Sequence, residues 1–296
     1  MLSNISPVRF VSDKQYLKCD YRIKMGHKLN LKDPKRFNEK LQWLKLYNRN
    51  PFYNIIVDKY AVREYIKEKI GDEYLIPLLG VWDKIEDVDY SKLPEQFVLK
   101  GTNDCGSVMI CSDRKKFDFK KAKYILKRAT TVKYYYTRGR EWAYKDVQPR
   151  IIAEKFMVDE SGYELKDYKF FCFNGEPKMI QVNFDRFNKS FDKSMETKKN
   201  LYDTEWNFLP FVHNYPSVSE AQIARPERLE DMLELARTLS KGFPFLRVDF
   251  YYINGRIYFG ELTLYPASGY GAFTPDEWDY TLGSWIDLDL AYSRRK

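Results

Sequence analysis

The chain reads as an α+β protein, with helices packed on sheets whose strands run mostly antiparallel in the second half. Three observations predict this class. Two Asn-Gly dipeptides, at 174–175 and 254–255, each sit between β-rich apolar runs, a strong hairpin signal. Near the N-terminus, Phe37, Leu41, Trp43 and Leu44 recur around one stripe at helical spacing. In the middle, short apolar runs alternate with polar, glycine-containing loops.

Taken in order, residues 1–50 read as helical and amphipathic, and the stripe at 37–47 is a packing face. A second helix starts at Asp58, placed as an N-cap or first-turn acid. Residues 74–82 form a short apolar strand interrupted by Pro77. The polar stretch 83–95, with Pro94, marks a lobe boundary. Strands follow at 96–100 and 108–111 around a small polar loop, then a basic helix near 117–133 and a strand at 150–157. The first hairpin spans 167–182, a helix runs from 225 to 241 with Gly242 as its stop, and the second hairpin spans 245–264. The expected division is a helical N-terminal region at 1–95, a small lobe at 96–157 and a C-terminal lobe at 158–296.

Bulk properties narrow the function. The 296 residues allow one large domain or several lobes around a cleft. The net charge of +8 is spread along the chain without a single-sign block, which argues against a nucleic-acid partner. A solvated lysine-rich surface explains most of it, though the surplus also suits an anionic substrate or contact with an anionic membrane surface. Four scattered cysteines and two distant histidines give no zinc pattern and no disulfide framework. Residues 1–7 lack the apolar core of a signal peptide, and no run approaches a bilayer span, so a cytoplasmic location is expected.

Three segments could carry chemistry. Along a strand side chains alternate, so Arg247 and Asp249 share one face and Glu261 and Thr263 share another. A two-residue loop at 254–255 would pair Asp249 with Gly260 and send Glu261 away. An odd loop would bring all four together, and this is the expected geometry, because two carboxylates beside phosphates are what magnesium takes. The pattern alone slightly favours a surface ion pair of Arg247 with Glu261. The second segment is Lys100 followed by a loop from Gly101 to Gly106 and Ser107. Such a loop can bring backbone N–H groups to phosphate oxygens while the lysine adds charge, although it lacks the P-loop lysine and reads as easily as an ordinary hairpin. The third is the strand ending in Glu154, Lys155, Phe156 and Met157. It could offer backbone donors and acceptors to a purine edge, with two apolar walls.

The order of these segments resembles the ATP-grasp superfamily, and more specifically the TupA-like ATP-grasp proteins of bacterial polysaccharide biosynthesis. The resemblance runs through residues 37–43, 58–60, 97–101, 167–171, 247–251 and 260–263. It implies an ATP-grasp fold, with two mainly antiparallel α+β lobes clasping ATP. Lys59 and Lys100 would be the nucleotide-binding lysines, and the Gly101–Ser107 loop would close over the phosphates. Residues Glu154 to Met157 would form the adenine hinge, and Asp167 would hold the ribose hydroxyls. Asp249 and Glu261 would hold Mg2+, and Arg247 would face phosphate or an acyl phosphate. Thr263 departs from the family, which mostly carries an asparagine ligand there, so the third metal ligand is in question. Arg186 is a further phosphate-binding candidate.

By resemblance the reaction is ligation: a carboxylate, as in a uronic or related sugar acid, is activated as an acyl phosphate and joined to an amine in surface polysaccharide synthesis. Peripheral contact with membrane-associated polysaccharide machinery fits the same setting. The alternatives are an ATP-dependent sugar phosphotransferase, a nucleotide-sugar glycosyltransferase and a non-catalytic carbohydrate-binding protein. The joint presence of Lys59, Lys100, Asp249 and Glu261 argues against the last. The segment 267–273, rich in glycine and small residues, is a candidate substrate loop.

Overall fold

Short-range rules account for the N-terminal helices. The computed structural model describes residues 10–162, 164–184, 198–214 and 223–293. Helix α1 (Asp13–Met25) begins where the Ser12 hydroxyl accepts from the Gln15 N–H at 3.3 Å. It ends at Gly26, whose φ of 77° suits glycine. Helix α2 (Phe37–Tyr47) buries Phe37, Leu41, Trp43 and Leu44, the stripe read from the sequence, but also Gln42 and Lys45. Helix α3 (Phe52–Val57) and helix α4 (Val62–Lys69) meet at Asp58. Its carboxylate accepts from the N–H groups of Tyr60 at 2.8 Å and Ala61 at 3.2 Å, the capping role expected of it.

A four-stranded antiparallel sheet follows, built from β1 (Leu78–Trp82), β2 (Phe97–Gly101), β3 (Val108–Cys111) and β4 (Ile151–Lys155) in the order β1-β4-β2-β3. Pro77 precedes β1 rather than interrupting it, and the sheet draws strands from both sides of Pro94. Helix α5 (Phe119–Thr131) and the short α6 (Tyr134–Thr137) lie between β3 and β4. The inward face of the sheet buries Phe97, Leu99, Ile151 and Ala153 in one core with Leu126 of α5. Alternation therefore turns Val98, Lys100 and Glu154 to the opposite face.

The larger sheet has five antiparallel strands: β5 (Asp167–Phe173), β6 (Glu176–Phe184), β7 (Lys198–Tyr202), β9 (Phe245–Ile253) and β10 (Arg256–Thr263), in the order β10-β9-β5-β6-β7. A short pairing of β8 (Val212–His213) with β11 (Phe273–Thr274) stands beside it. Helix α7 (Leu229–Ser240) packs on one face, where Met232, Ala236 and Leu239 meet a core that includes Phe170, Ile180, Val248 and Phe250. The other face is polar. Direct pairing across strands aligns Glu261, Asp249, Lys169 and Gln181 in one row, and Tyr251, Asp167, Asn183 and Lys199 in the next. Helix α8 (Glu277–Ser284) packs against α2 and closes the C-terminal end.

The second hairpin corrects the expected turn. Its loop is the two residues Asn254 and Gly255, with φ of 48° and 77°, an even turn with both central residues left-handed. Glu261 nevertheless faces Asp249, because a bulge at Gly260 inserts one residue between the Phe259–Phe250 and Glu261–Asp249 pairs. The four side chains share a face as expected, but the bulge places them there, not the loop. A Cβ at Gly260 would lie 3.0 Å from the Asp249 carbonyl oxygen, which explains glycine at this crowded kink.

Candidate active site

The polar faces of the two sheets enclose a cavity of about 530 Å³, a common size for a small-molecule site. From the small sheet it receives Val98, Lys100, Val108, Ile110 and Glu154. From the large sheet it receives Asp167, Lys169, Asp249, Tyr251, Gly260 and Glu261. The chain that links the sheets supplies Lys155, Phe156 and Met157 along one wall. One end is thus apolar, with a strand edge beside it, and the other is dense in charge.

The charged end is a connected ion network. Arg247 donates to both oxygens of Asp249 at 2.7 Å each, to Glu261 at 2.6 Å and to the Thr263 hydroxyl at 2.9 Å. The Thr263 hydroxyl donates to Glu261 at 3.0 Å. Lys169 bridges Asp249 at 2.5 Å and Asp167 at 2.6 Å. Burial pushes the Asp249 carboxyl up to about 6, against the pull of Arg247 and Lys169. Burial also works on Glu261, but Arg247, Lys169, Lys59 and the Thr263 hydroxyl outweigh it and hold that carboxyl at about 2. Arg247 is shifted up: burial opposes its charge, and Asp249 with Glu261 more than offsets that opposition.

Lys169 is the residue that the sequence reading missed. Its signal was available, since it stands two positions after Asp167 on one strand and so shares that face. Arg63 of α4 was also missed. It holds the Glu154 carboxylate at 3.1 Å, while Lys100 holds the other oxygen at 2.6 Å. Glu154 therefore presents its side chain to two cations, one from α4 and one from β2, and leaves its backbone to the strand.

The small loop shows a division of labour. Lys59 reaches across it, donating to the Gly101 carbonyl at 3.1 Å and to the Asp104 carbonyl. The Ser107 hydroxyl donates to the Asp104 carboxylate inside the loop. Gly101 is buried against α5, and a Cβ there would stand 2.8 Å from that of Ala129, so its small size serves packing. Gly106, with φ of 112° and open space beside it, lines the cavity. Arg186 lies outside the described residues.

A smaller region adjoins the network. Gln42 and Lys45 of α2 hold the turn at Ala267 and Ser268, both with positive φ. The Lys45 ammonium satisfies its donors on the Gly139 carbonyl at 2.9 Å and on the carbonyl and hydroxyl of Ser268 at 2.7 and 3.0 Å. Helix α2 thus fixes the backbone of the candidate substrate loop through Gln42 and Lys45 as well as packing the core through its apolar stripe.

The comparison with known families settles the lineage. The family described as TupA-like ATPgrasp matches residues 39–287, most of the chain. The chain belongs to this family. No curated protein sequence matched it. Among solved structures, this TupA-like chain is similar to D-alanine–D-alanine ligase of Bacillus anthracis complexed with ATP, at 15% identity and a TM-score of 0.40, over 71% of this chain and 54% of that one. The Helicobacter pylori D-alanine–D-alanine ligase gives 15% identity and 0.43, over 88% and 69%. N5-carboxyaminoimidazole synthetase of Staphylococcus aureus, complexed with ADP, gives 13% identity and 0.41, over 71% and 45%. The TupA-like chain spans only about half the length of the first of these.

Proposed function

We propose that this ATP-grasp protein is an ATP-dependent ligase that activates a carboxylate and joins it to an amine. One observation carries the reading: Asp249 and Glu261, both held by Arg247, face Lys100 and Lys59 across a single cavity. In the reaction a carboxylate oxygen attacks the γ-phosphorus of ATP and ADP departs. The amine nitrogen then attacks the acyl carbon, phosphate leaves and the nitrogen gives up a proton. Positioning and charge neutralisation supply most of such catalysis.

Lys155, Phe156 and Met157 would hold the base, and Asp167 would take the ribose. Lys59, Lys100, Gly106 and the loop around Ser107 would hold the phosphates. Asp249 and Glu261 fit a magnesium site by their chemistry, since they are hard oxygen donors paired directly across β9 and β10 on one face. Among the described residues no group of three such ligands is preassembled, so two carboxylates plus phosphate oxygens is the set that fits. Magnesium there would neutralise charge on the transferred phosphoryl group. Arg247 is the counter-ion of both carboxylates and would meet charge on the acyl phosphate.

For the substrate, the proposal is a uronic or related sugar acid of surface polysaccharide, with an amino acid or amino alcohol as the amine, acting in the cytoplasm beside membrane-bound machinery. No helix among the described residues is long and apolar enough to cross a membrane. The test is incubation with Mg-ATP, uronic acids and candidate amines, followed by assay of ADP and of an amide. Release of ADP with a phosphorylated sugar and no amide assigns the phosphotransferase reaction instead.

A further inference from the structure

The positive surplus that reads as spread along the chain gathers in one stretch. Residues 114–133 hold nine lysines and arginines and a single acid, Asp118. Taking these from the 50 basic and 42 acidic residues of the chain leaves 41 of each sign, so this stretch carries the whole net charge of +8. Its centre is α5, with Lys120, Lys121, Lys123, Lys127 and Arg128 and no acid. The helix buries Ala122, Leu126 and Ala129. Leu126 packs on the sheet face opposite to Lys100 and Glu154, so the exposed side of α5 points away from the nucleotide cleft.

Tyr124 stands in the middle of that side and is 63% exposed. The positions three and four residues before and after it, its neighbours on a helix surface, are Lys120, Lys121, Lys127 and Arg128. Helix α7 shows how the same chain builds an ordinary solvated helix: Arg228 at its start pairs with Asp231 at 2.6 Å, and Arg237 pairs with Glu234 at 2.7 Å. On α5, Lys123 and Lys127 share one acid, Glu86 of the adjoining turn, at 3.9 and 3.0 Å. Lys120 and Lys121 have no ion pair among the described residues, and Arg128 donates to the Tyr124 hydroxyl at 3.3 Å. Asp118 is engaged at the helix start, where it accepts from the Lys121 N–H at 2.8 Å. Like charges crowded along a helix repel, and an anionic surface relieves that repulsion.

Four lysines and one arginine on a convex helix face act as point charges rather than as guanidinium forks in a groove, which suits lipid headgroups better than a nucleic acid. A tyrosine among them has an apolar body and a polar tip, the form that settles at headgroup depth. We propose that the outer face of α5 docks the protein on an anionic phospholipid bilayer, with Lys120, Lys121 and Arg128 against the headgroups around Tyr124. The nucleotide cleft stays open on the other side of the small sheet, and the docking is independent of the reaction catalysed there.

The experiment is co-sedimentation of the full chain with vesicles of phosphatidylcholine alone and of phosphatidylcholine mixed with phosphatidylglycerol, at low and high salt. The unmodified protein should prefer the mixed vesicles by about a hundredfold or more at low salt, and high salt should remove the preference. Each cation lost from such a surface weakens binding by about fivefold, so the variant K120Q/K121Q/R128Q should lose about a hundredfold. The variant K14Q/K18Q/R22Q takes equal charge from exposed positions of α1 and should stay within about threefold. Both variants change exposed side chains, and their thermal unfolding should match that of the unmodified protein. Equal binding of the unmodified protein to the two kinds of vesicle overturns the proposal. So does a preference that survives in the α5 variant, or a loss in the α1 variant as large as in the α5 variant. Tight binding of a duplex oligonucleotide with none to either vesicle assigns the face to nucleic acid and overturns it as well.

Discussion

The two hairpins of the large sheet begin alike and end differently. Each turns on Asn-Gly, with φ of 55° and 89° at 174–175 and 48° and 77° at 254–255. Each then carries one bulge on its return strand. In β6 the extra residue is Lys178, two pairs from the turn; in β10 it is Gly260, four pairs from the turn. Without the first bulge, Lys169 would face Ile180; with it, Lys169 faces Gln181. Without the second, Asp249 would face Gly260; with it, Asp249 faces Glu261. In both hairpins a single inserted residue swaps the faces of everything beyond it. One bulge places the amides of Gln181 and Asn183 on the polar face and the other places the Asp249–Glu261 carboxylate pair there. The same turn thus serves two different sets of side chains, and the bulge position decides which of them reach the polar face.

Removing the charge at the centre of the face should have the largest effect. Asp249→Ala leaves Arg247 and Lys169 buried with one shared counter-ion gone, and is expected to destabilise the fold by about 3 kcal/mol. ATP-dependent turnover should fall by about a thousandfold. Urea unfolding and ADP release measure the two effects, and Asp249→Asn should recover part of the stability but not the rate.

Single substitutions beyond each bulge separate the hairpins. Glu261→Ala removes one carboxylate of the pair beyond the Gly260 bulge and should reduce Mg-ATP binding by about a hundredfold in calorimetry. Gln181→Ala, beyond the Lys178 bulge, should leave Mg-ATP binding within about threefold. Equal losses of nucleotide binding in the two variants would remove the distinction between them.

A smaller effect follows from Lys199, whose ammonium burial and then the neighbouring Arg247 push down to about 7. Urea unfolding at about pH 7 and about pH 9 should show stability gained at the higher pH, because the unfolded chain keeps this lysine protonated after the folded one has lost its proton. That contribution should rise with pH between about 7 and the ordinary lysine range.

The turns themselves give the smallest difference. Asn254→Ala places alanine at a positive φ and should destabilise the protein by about 1 kcal/mol. Asn174→Ala should cost about 2 kcal/mol, because that side chain also donates to the Trp285 carbonyl at 2.7 Å and accepts from the Asp287 N–H at 2.9 Å. Chemical denaturation of the two variants side by side checks the gap.

Much of the fold was legible in the sequence because it is carried by local signals. The α2 stripe, the Asp58 cap, the two Asn-Gly turns and the strands around Lys100 follow from periodicity and backbone preference. Register was not legible. The odd-loop expectation reached the right face for the wrong reason, although Gly260 inside a strand was itself a bulge signal. Lys178 gave none, since nothing in a lysine marks it as the extra residue. Lys169 could have been found by pairing it with Asp167 on one face. Lys45 and Arg63 could not, because each acts through partners distant in sequence and reads locally as an ordinary helix lysine or arginine.

The central claim is that the polar faces of the two sheets hold Mg-ATP between Lys100 and the carboxylates brought together by the Gly260 bulge. A crystal structure with magnesium and a non-hydrolysable ATP analogue tests it most directly. The account predicts metal at about 2.1 Å from oxygens of both Asp249 and Glu261, with the phosphates against Lys100 and the base beside Phe156 and Met157. Metal bound away from these two carboxylates, or a nucleotide seated outside this cleft, would contradict it.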